Sequence, residues 1–393
     1  MREAETQVFP AMETSPDPGA ASAPRTGILP YQAIRAMLRE HEIVALAAEI
    51  GPEQVQPASL DLRLGTVAFR VRASFLPGRQ ATVMERIEQL DGYAIDLADG
   101  AVLEKGCVYV VPLMEQLALA SSSGVTGFAN PKSSTGRLDI LTRLMTDRSE
   151  AFDQVERGYQ GPLYIEIAPR TFSIVVRAGT RLNQVRFRRG SPQLATTELQ
   201  RLHEQGQLIL GDEGRANIRE KLVGVSIDLG GDAAPGALIG YRARKHTDRI
   251  DLDRIGHYDP ADFWEPINFR RHRSIVLDPN EFYILVTREA VRVPPEYAAE
   301  MVAYDTAVGE FRVHYAGFFD PGFGWDVSGG TSRAVLEVRS HEVPFMLEHG
   351  QTVGWLRYER MMQKPDRLYG ASIGSTYLNQ GLALGKQFKP PAA

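Results

Sequence analysis

PASLDLRLG (57–65) returns in the second half of the chain as GVSIDLGG (224–231), with Ser-x-Asp-Leu at Ser59, Asp61 and Leu62 and again at Ser226, Asp228 and Leu229. Both stretches alternate apolar and polar residues, the two-residue period of a strand with one buried face. Further blocks match in the same order on either side. YQAIRAMLREHEIVA (31–45) and TTELQRLHEQGQLIL (196–210) share an apolar phase, with Leu199 answering Ile34 and Leu208 answering Ile43, and each reads as a helix followed by a short strand. EKGCVYVVPLME (104–115) pairs with DPNEFYILVTRE (278–289), Tyr109 facing Tyr283 and Glu115 facing Glu289. PLYIEI (162–167) pairs with RAVLEV (333–338), each centred on a glutamate, Glu166 and Glu337, and RAGTRLNQVRF (177–187) corresponds to LEHGQTVGWLRY (347–358). Five blocks in one order mark a tandem duplication. The boundary falls near residue 193, in the turn-rich GSPQ stretch. That gives a Pro-, Ala- and Ser-rich N-terminal tail (1–26) read as disordered, a first repeat (27–193), and a second repeat with a C-terminal tail (194–393).

Between these blocks run more short alternating or β-branched segments, VAFRVR (67–72), YAIDLA (93–98), SIVVRA (173–178) and SIVLD (274–278), bounded by Gly, Pro, Asp or Ser. Their spacing predicts a mainly β barrel or sandwich, with a short helix near residues 31–41 opening the first copy. The 393 residues include 36 glycines and 24 prolines, a turn-rich usage that argues against a helical bundle. Net charge is −5, with 44 basic and 49 acidic residues mixed along the chain, so no basic stripe is available for a nucleic-acid backbone. The single cysteine, Cys107, excludes an intramolecular disulfide and a Cys-rich zinc site, and suits a reducing compartment. Neither a run of 18 apolar residues nor a secretory signal is visible, and the expectation is a cytoplasmic protein without a membrane span.

Five segments could carry chemistry. NPKSSTGRLDI (130–140) gathers Lys132, Ser133, Ser134 and Arg137 in a turn. Hydroxyls, peptide N–H groups and a guanidinium suit a phosphate chain, and the alternative is a serine-rich surface turn. The matching place in the second repeat, MVAYDTAVGEFRV, lacks both the Ser-Ser pair and the arginine. Glu166 and Glu337 each stand mid-strand between apolar neighbours, so each is either solvated on the outer face or a pocket carboxylate with a raised pKa that moves a proton. AGFFDPGFGWD (316–326) packs aromatics around an Asp-Pro-Gly turn, as a core hairpin or as a wall that stacks a flat ring. The tail LYGASIGSTYLNQGLALGKQFK (368–389) is a disordered terminus or an arm that closes over a ligand. No zinc-deaminase signature, HExxH or dinucleotide fingerprint is present.

The order of helix, QPASLDLRLG, SSTGRL (133–138), Gly-aromatic turn, central strand glutamate and terminal YLNQG (377–381) resembles the dCTP deaminases of the dUTPase-like superfamily, in their long tandem form, over about residues 27–389. The resemblance implies two dUTPase-like distorted β-barrel or jelly-roll domains, each preceded by a short helix. It also implies trimers or pseudo-trimers of domains, with sites between neighbouring domains. The implied reaction is hydrolysis of dCTP to dUTP and ammonia without zinc, with Mg²⁺ on the triphosphate. By the same resemblance Glu337 and Glu166 match the water-activating glutamate, Ser133, Ser134 and Arg137 the substrate-gripping motif, Ala316 and Asp320 the base pocket, and Tyr377, Asn379 and Gln380 the phosphate-covering tail.

Neither copy is complete. The first keeps SSTGR and Glu166 but has VERGYQG (155–161) in place of the Asp-Pro-Gly-aromatic turn, while the second keeps that turn, Glu337 and the tail but lacks SSxxR. The complementary losses point to one composite site, with Ser133 and Arg137 from the first repeat and Glu337, the base pocket and the tail from the second. The alternatives are a dUTPase or bifunctional enzyme, and a noncatalytic nucleotide-binding module of the same fold.

Overall fold

The i, i+3, i+4 spacing predicts a helix at Tyr31, and Tyr31–Arg39 is helical, burying Ile34 and Met37. The strand after it, Ile43–Ala45, docks on the long strand Val108–Ala118 with Ile43 opposite Leu117. The second copy repeats this move: helix Thr196–Gly206 is followed by Ile209–Leu210, which docks on Phe282–Val291 with Ile209 opposite Val291. The computed structural model describes residues 26–390 apart from 46, 207, 212–215, 231–235, 270, 303–310, 315–316, 326–331, 341 and 371–380.

Among the described residues each half holds two large antiparallel sheets beside a smaller one. In the first half a six-stranded sheet runs through Val108–Ala118, Gln160–Pro169 and Ile140–Thr146, and a five-stranded sheet through Arg181–Arg189 and Val125–Pro131. In the second half the corresponding sheets run through Phe282–Val291, Ser332–Ser340 and Phe311–His314, and through Leu222–Ser226, Thr352–Arg360 and Tyr297–Val302. The alternating residues point where the period requires. Tyr109, Val111, Ile165 and Ile167 meet Leu62, Val185 and Phe187 in one core, and Tyr283, Leu285, Leu336 and Val338 meet Val225, Leu356 and Tyr358 in the other. Each such side chain contributes about 1.5–3 kcal/mol by leaving water. The duplicated tyrosines even keep one role, since the Tyr109 hydroxyl accepts from the Glu104 N–H and the Tyr283 hydroxyl from the Asp278 N–H, both at 2.9 Å.

Two features, among others, tie the halves together. Ile250–Asp251, from an excursion of the second half, pairs in parallel with Ile174–Val176 of the first, and Arg177 grips Asp251 and Asp253 at 2.8 Å. The segment after residue 381 follows the same route, placing Phe388 against Tyr258, Phe263 and Trp264 in the first-half core. One element that alternation does not reveal is the helix Val83–Gln89, opened by a capping box in which Thr82 and Glu85 each accept from the other's backbone N–H. Among the described residues no helix is long and apolar enough to cross a membrane.

Candidate active site

Residues 133–136 form a single helical turn rather than an open loop. The Lys132 N–H and the Thr135 hydroxyl both donate to the Leu182 carbonyl, at 2.9 and 2.8 Å, which nails the turn to the strand Arg181–Arg189. Ser133 is thereby left exposed, Ser134 half-buried, and Arg137 is carried inward to full burial. The Arg137 guanidinium donates to the carbonyls of Ala383 and Leu384 at 3.1 and 3.4 Å, so the C-terminal segment lies across it.

Ser133 and Arg137 of the first repeat share a recess of about 70 Å³ with Glu337, Gly317, Phe318, Phe319, Asp320 and Phe323 of the second. Ser133, Phe318, Asp320 and Tyr369 also line a larger cleft of about 720 Å³, so the recess adjoins it. That cleft has the size of a small-molecule site. Its walls carry Lys132, Ser134, Arg181 and Lys386, opposed by Asp61 and Asp253. Lys132 and Arg181 meet Asp61 at 2.5 and 3.7 Å, and the Lys386 amine is held below the usual lysine range, first by burial and then by repulsion from Lys132 and Arg181.

Glu337 is buried, which excludes the solvated reading of this strand position. Burial pushes its carboxyl up to about 8, against the pull of the Arg137 charge and of its own peptide N–H. A carboxyl near that value can hold and release a proton around neutral pH. Asp320 is also buried and raised by its burial, while Arg186 at 2.9 Å, with Lys132 more weakly, pulls it down and Asp61 pushes it up.

Glu166 is buried too, but the structure does not bring it to the recess. Its Oε1 accepts from Arg143 Nη2 at 2.5 Å and Nε at 2.9 Å, and Arg143 also donates to the Ser74 hydroxyl and lies over the Phe152 ring. The expected residues therefore fall into three groups. Ser133, Arg137, Asp320 and Glu337 line one recess, Ser134 stands on the adjoining cleft, and Glu166 is apart. Ala316, Tyr377, Asn379 and Gln380 lie outside the described residues. Arg181 and Arg186 carry no site expectation from the sequence, and Lys386 belongs to the tail read there as a disordered terminus or a closing arm. The available signal for Arg186 was an arginine between Val185 and Phe187, a charge at mid-strand like the two glutamates.

Comparisons with known proteins identify the family. The model of the 2′-deoxycytidine 5′-triphosphate deaminase N-terminal domain matches residues 25–191, and that of the C-terminal domain matches residues 195–388. Curated relatives named "dCTP deaminase, dUMP-forming" include one from Beutenbergia cavernae, 29% identical over 137 residues (34% of this chain, 62% of that protein). Another, from Methanobrevibacter smithii, is 29% identical over 134 residues (33% and 65%). The chain thus spans less than two thirds of the length of these two relatives. A crystal structure of 2′-deoxycytidine 5′-triphosphate deaminase from Agrobacterium tumefaciens is similar with a TM-score of 0.84 and 55% identity, covering 89% of this chain and all of that one.

Proposed function

The chain belongs to the 2′-deoxycytidine 5′-triphosphate deaminase family, and from that premise we propose that it hydrolyses dCTP to dUTP and ammonia in the recess between its two repeats. The observation that carries the reading is the meeting of Glu337 with Ser133 and Arg137, one residue set from each copy. Glu337 takes a proton from water as its oxygen bonds to C4 of cytosine, then returns that proton to the amino group, the C–N bond breaks and ammonia leaves. A carboxyl raised toward neutrality suits both halves of this transfer. Arg137 offers a fixed positive charge beside the carboxylate. The aromatic wall of Phe318, Phe319 and Phe323 provides a surface for the base.

The triphosphate lies in the larger cleft, where Lys132, Ser134, Arg181 and Lys386 supply donors and charge. Among the described residues there is no group of three or more His, Cys, Asp or Glu that could hold a metal ion. In this proposal Mg²⁺ enters bound through the phosphate oxygens, where it would neutralise charge, and no zinc takes part. Glu166 is a structural residue in this scheme. We further propose that the division at residue 193 separates two domains, that the protein acts in the cytoplasm, and that its copies associate as trimers or pseudo-trimers of domains.

The test is to incubate purified protein with dCTP, CTP and dUTP, with and without Mg²⁺, and read ammonia, uracil nucleotide and pyrophosphate separately. Ammonia from dCTP without pyrophosphate is the expected result. A second reading, release of dUMP, is favoured by the printed names of the curated relatives, and pyrophosphate appearing with ammonia would establish it. Silence on every readout would leave a nucleotide-binding module.

A further inference from the structure

Arg186 is fully buried in the joint between the halves, and neither the proton transfer nor the triphosphate grip described above uses it. It stands mid-strand in Arg181–Arg189 of the first repeat, yet the partners of its guanidinium lie in the second. Nη2 donates to Asp320 Oδ1 at 2.9 Å and to the Phe319 carbonyl at 3.5 Å, Nη1 donates to the Ala299 carbonyl at 3.0 Å, and the group lies 4.0 Å over the centre of the Phe318 ring. These partners form one structural unit. Ala299 and Phe319 are cross-strand neighbours, and Phe318, Phe319 and Asp320 are wall residues of the recess that holds Glu337.

A buried ion pair is a poor way merely to glue two domains, because desolvation of the charges offsets most of their attraction and an apolar pair of similar size does as well or better. What a planar guanidinium adds is geometry, since several acceptors are fixed at once in a set orientation. The second copy gives a comparison. Arg357 holds the place matching Arg186 in the repeated block, but it is one third exposed and meets Glu300 at 3.6 Å.

We infer that Arg186 is a positioning residue for the deamination: anchored in the repeat that carries Ser133 and Arg137, it fixes the Phe318–Asp320 wall and so sets the base at its working distance from Glu337. The inference rests on the recess being the deamination site.

Steady-state kinetics on dCTP for wild type, Arg186→Lys, Arg186→Met and Arg357→Met, each with a melting curve, test it. Arg186→Met is expected to lower kcat about 100-fold, the scale of a 1 Å misplacement, while KM changes less than about threefold because the phosphate contacts lie elsewhere. Arg186→Lys keeps the charge but not the fork, and should recover about tenfold of that loss. Arg357→Met should stay within about twofold of wild type. If Arg186→Met shows no cooperative melting, Arg186→Lys carries the test through a lowered kcat at unchanged KM and near-native melting. A wild-type kcat in a folded Arg186→Met protein, or in Arg186→Lys where Met does not fold, overturns the inference. If wild type releases no ammonia from dCTP, the reading of the site has failed rather than the role of Arg186.

Discussion

Gln160–Pro169 and Ser332–Ser340 are the same strand in two copies, each with a buried glutamate at its centre, and they differ in what shares the glutamate's face. Opposite Glu166 in the sheet stands Arg143, whose guanidinium closes on the carboxylate. Two residues earlier on the same face, the first copy has Tyr164, packed with Val83 and Ile87 of the capped helix, and the second has Val335, which lines the recess. The first copy has thus been closed by an ion pair and a helical roof without loss of its carboxylate. Residue identity at a duplicated position says little about function until its cross-strand partner and its cover are known.

The sharpest way to break this contrast is to neutralise each glutamate without changing its shape. Glu337→Gln removes the proton acceptor, and ammonia release from dCTP should fall on the order of 10³-fold. Glu166→Gln should stay within about threefold of wild type but melt lower, because it leaves the Arg143 guanidinium facing a neutral amide. The reverse ranking in an ammonia assay would assign the chemistry to the first copy.

The titration of Glu337 sharpens the same contrast with two opposite signs. Its raised value, about 8, means that the working carboxylate form accumulates as pH rises, so kcat/KM should climb up to tenfold per pH unit below 8 and then level. For stability the native state binds a proton that the unfolded chain, with an ordinary carboxyl near 4.5, releases. Glu337's contribution to stability is therefore fully present below about 4.5 and is lost as pH rises through about 8. Melting curves should show that decline in wild type and much less of it in Glu337→Gln. A decline unchanged in Glu337→Gln would assign it to other groups.

The duplication, the helix at Tyr31 and most strands were legible because alternation and repeated blocks are local signals. The two-sided composition of the recess was legible only as complementary loss, SSTGR kept in one copy and the Asp-Pro-Gly turn in the other. What brings Arg137 to Glu337 is the packing of one half on the other, and no spacing within either half encodes it. Arg186 was hidden for the same reason, since an arginine alternating with Val185 and Phe187 reads as a solvated face until a second domain covers it. Lys386 sits in a glycine-rich tail whose composition reads as disorder. The main-chain bonds from Gly256 to the Lys386 carbonyl and from His257 and Tyr258 to the Gln387 carbonyl, which fix that tail, come from a distant excursion.

Lys386 separates the two copies in a smaller way, because only the second repeat ends in a segment that returns over the cleft of the first. Lys386→Met removes one of the cations facing the proposed phosphate site. It should raise KM for dCTP about tenfold, equivalent to about 1.4 kcal/mol, with kcat nearly unchanged. An unchanged KM in steady-state assays would remove Lys386 from the phosphate site and leave the cleft to Lys132 and Arg181.

The smallest expected effect probes the roof over Glu166. Thr82→Ala deletes the hydroxyl that accepts from the Glu85 N–H, and loss of such a cap costs about 1 kcal/mol. That loss falls on the helix Val83–Gln89, whose Val83 and Ile87 cover the face shared by Tyr164 and Glu166. Amide hydrogen exchange across residues 83–89 should quicken about fivefold, while dCTP turnover stays at the wild-type rate because nothing beneath that helix takes part in the chemistry. If turnover fell in step with the faster exchange, Glu166 would have to be coupled to the working site, and the view of the first copy as closed would fail.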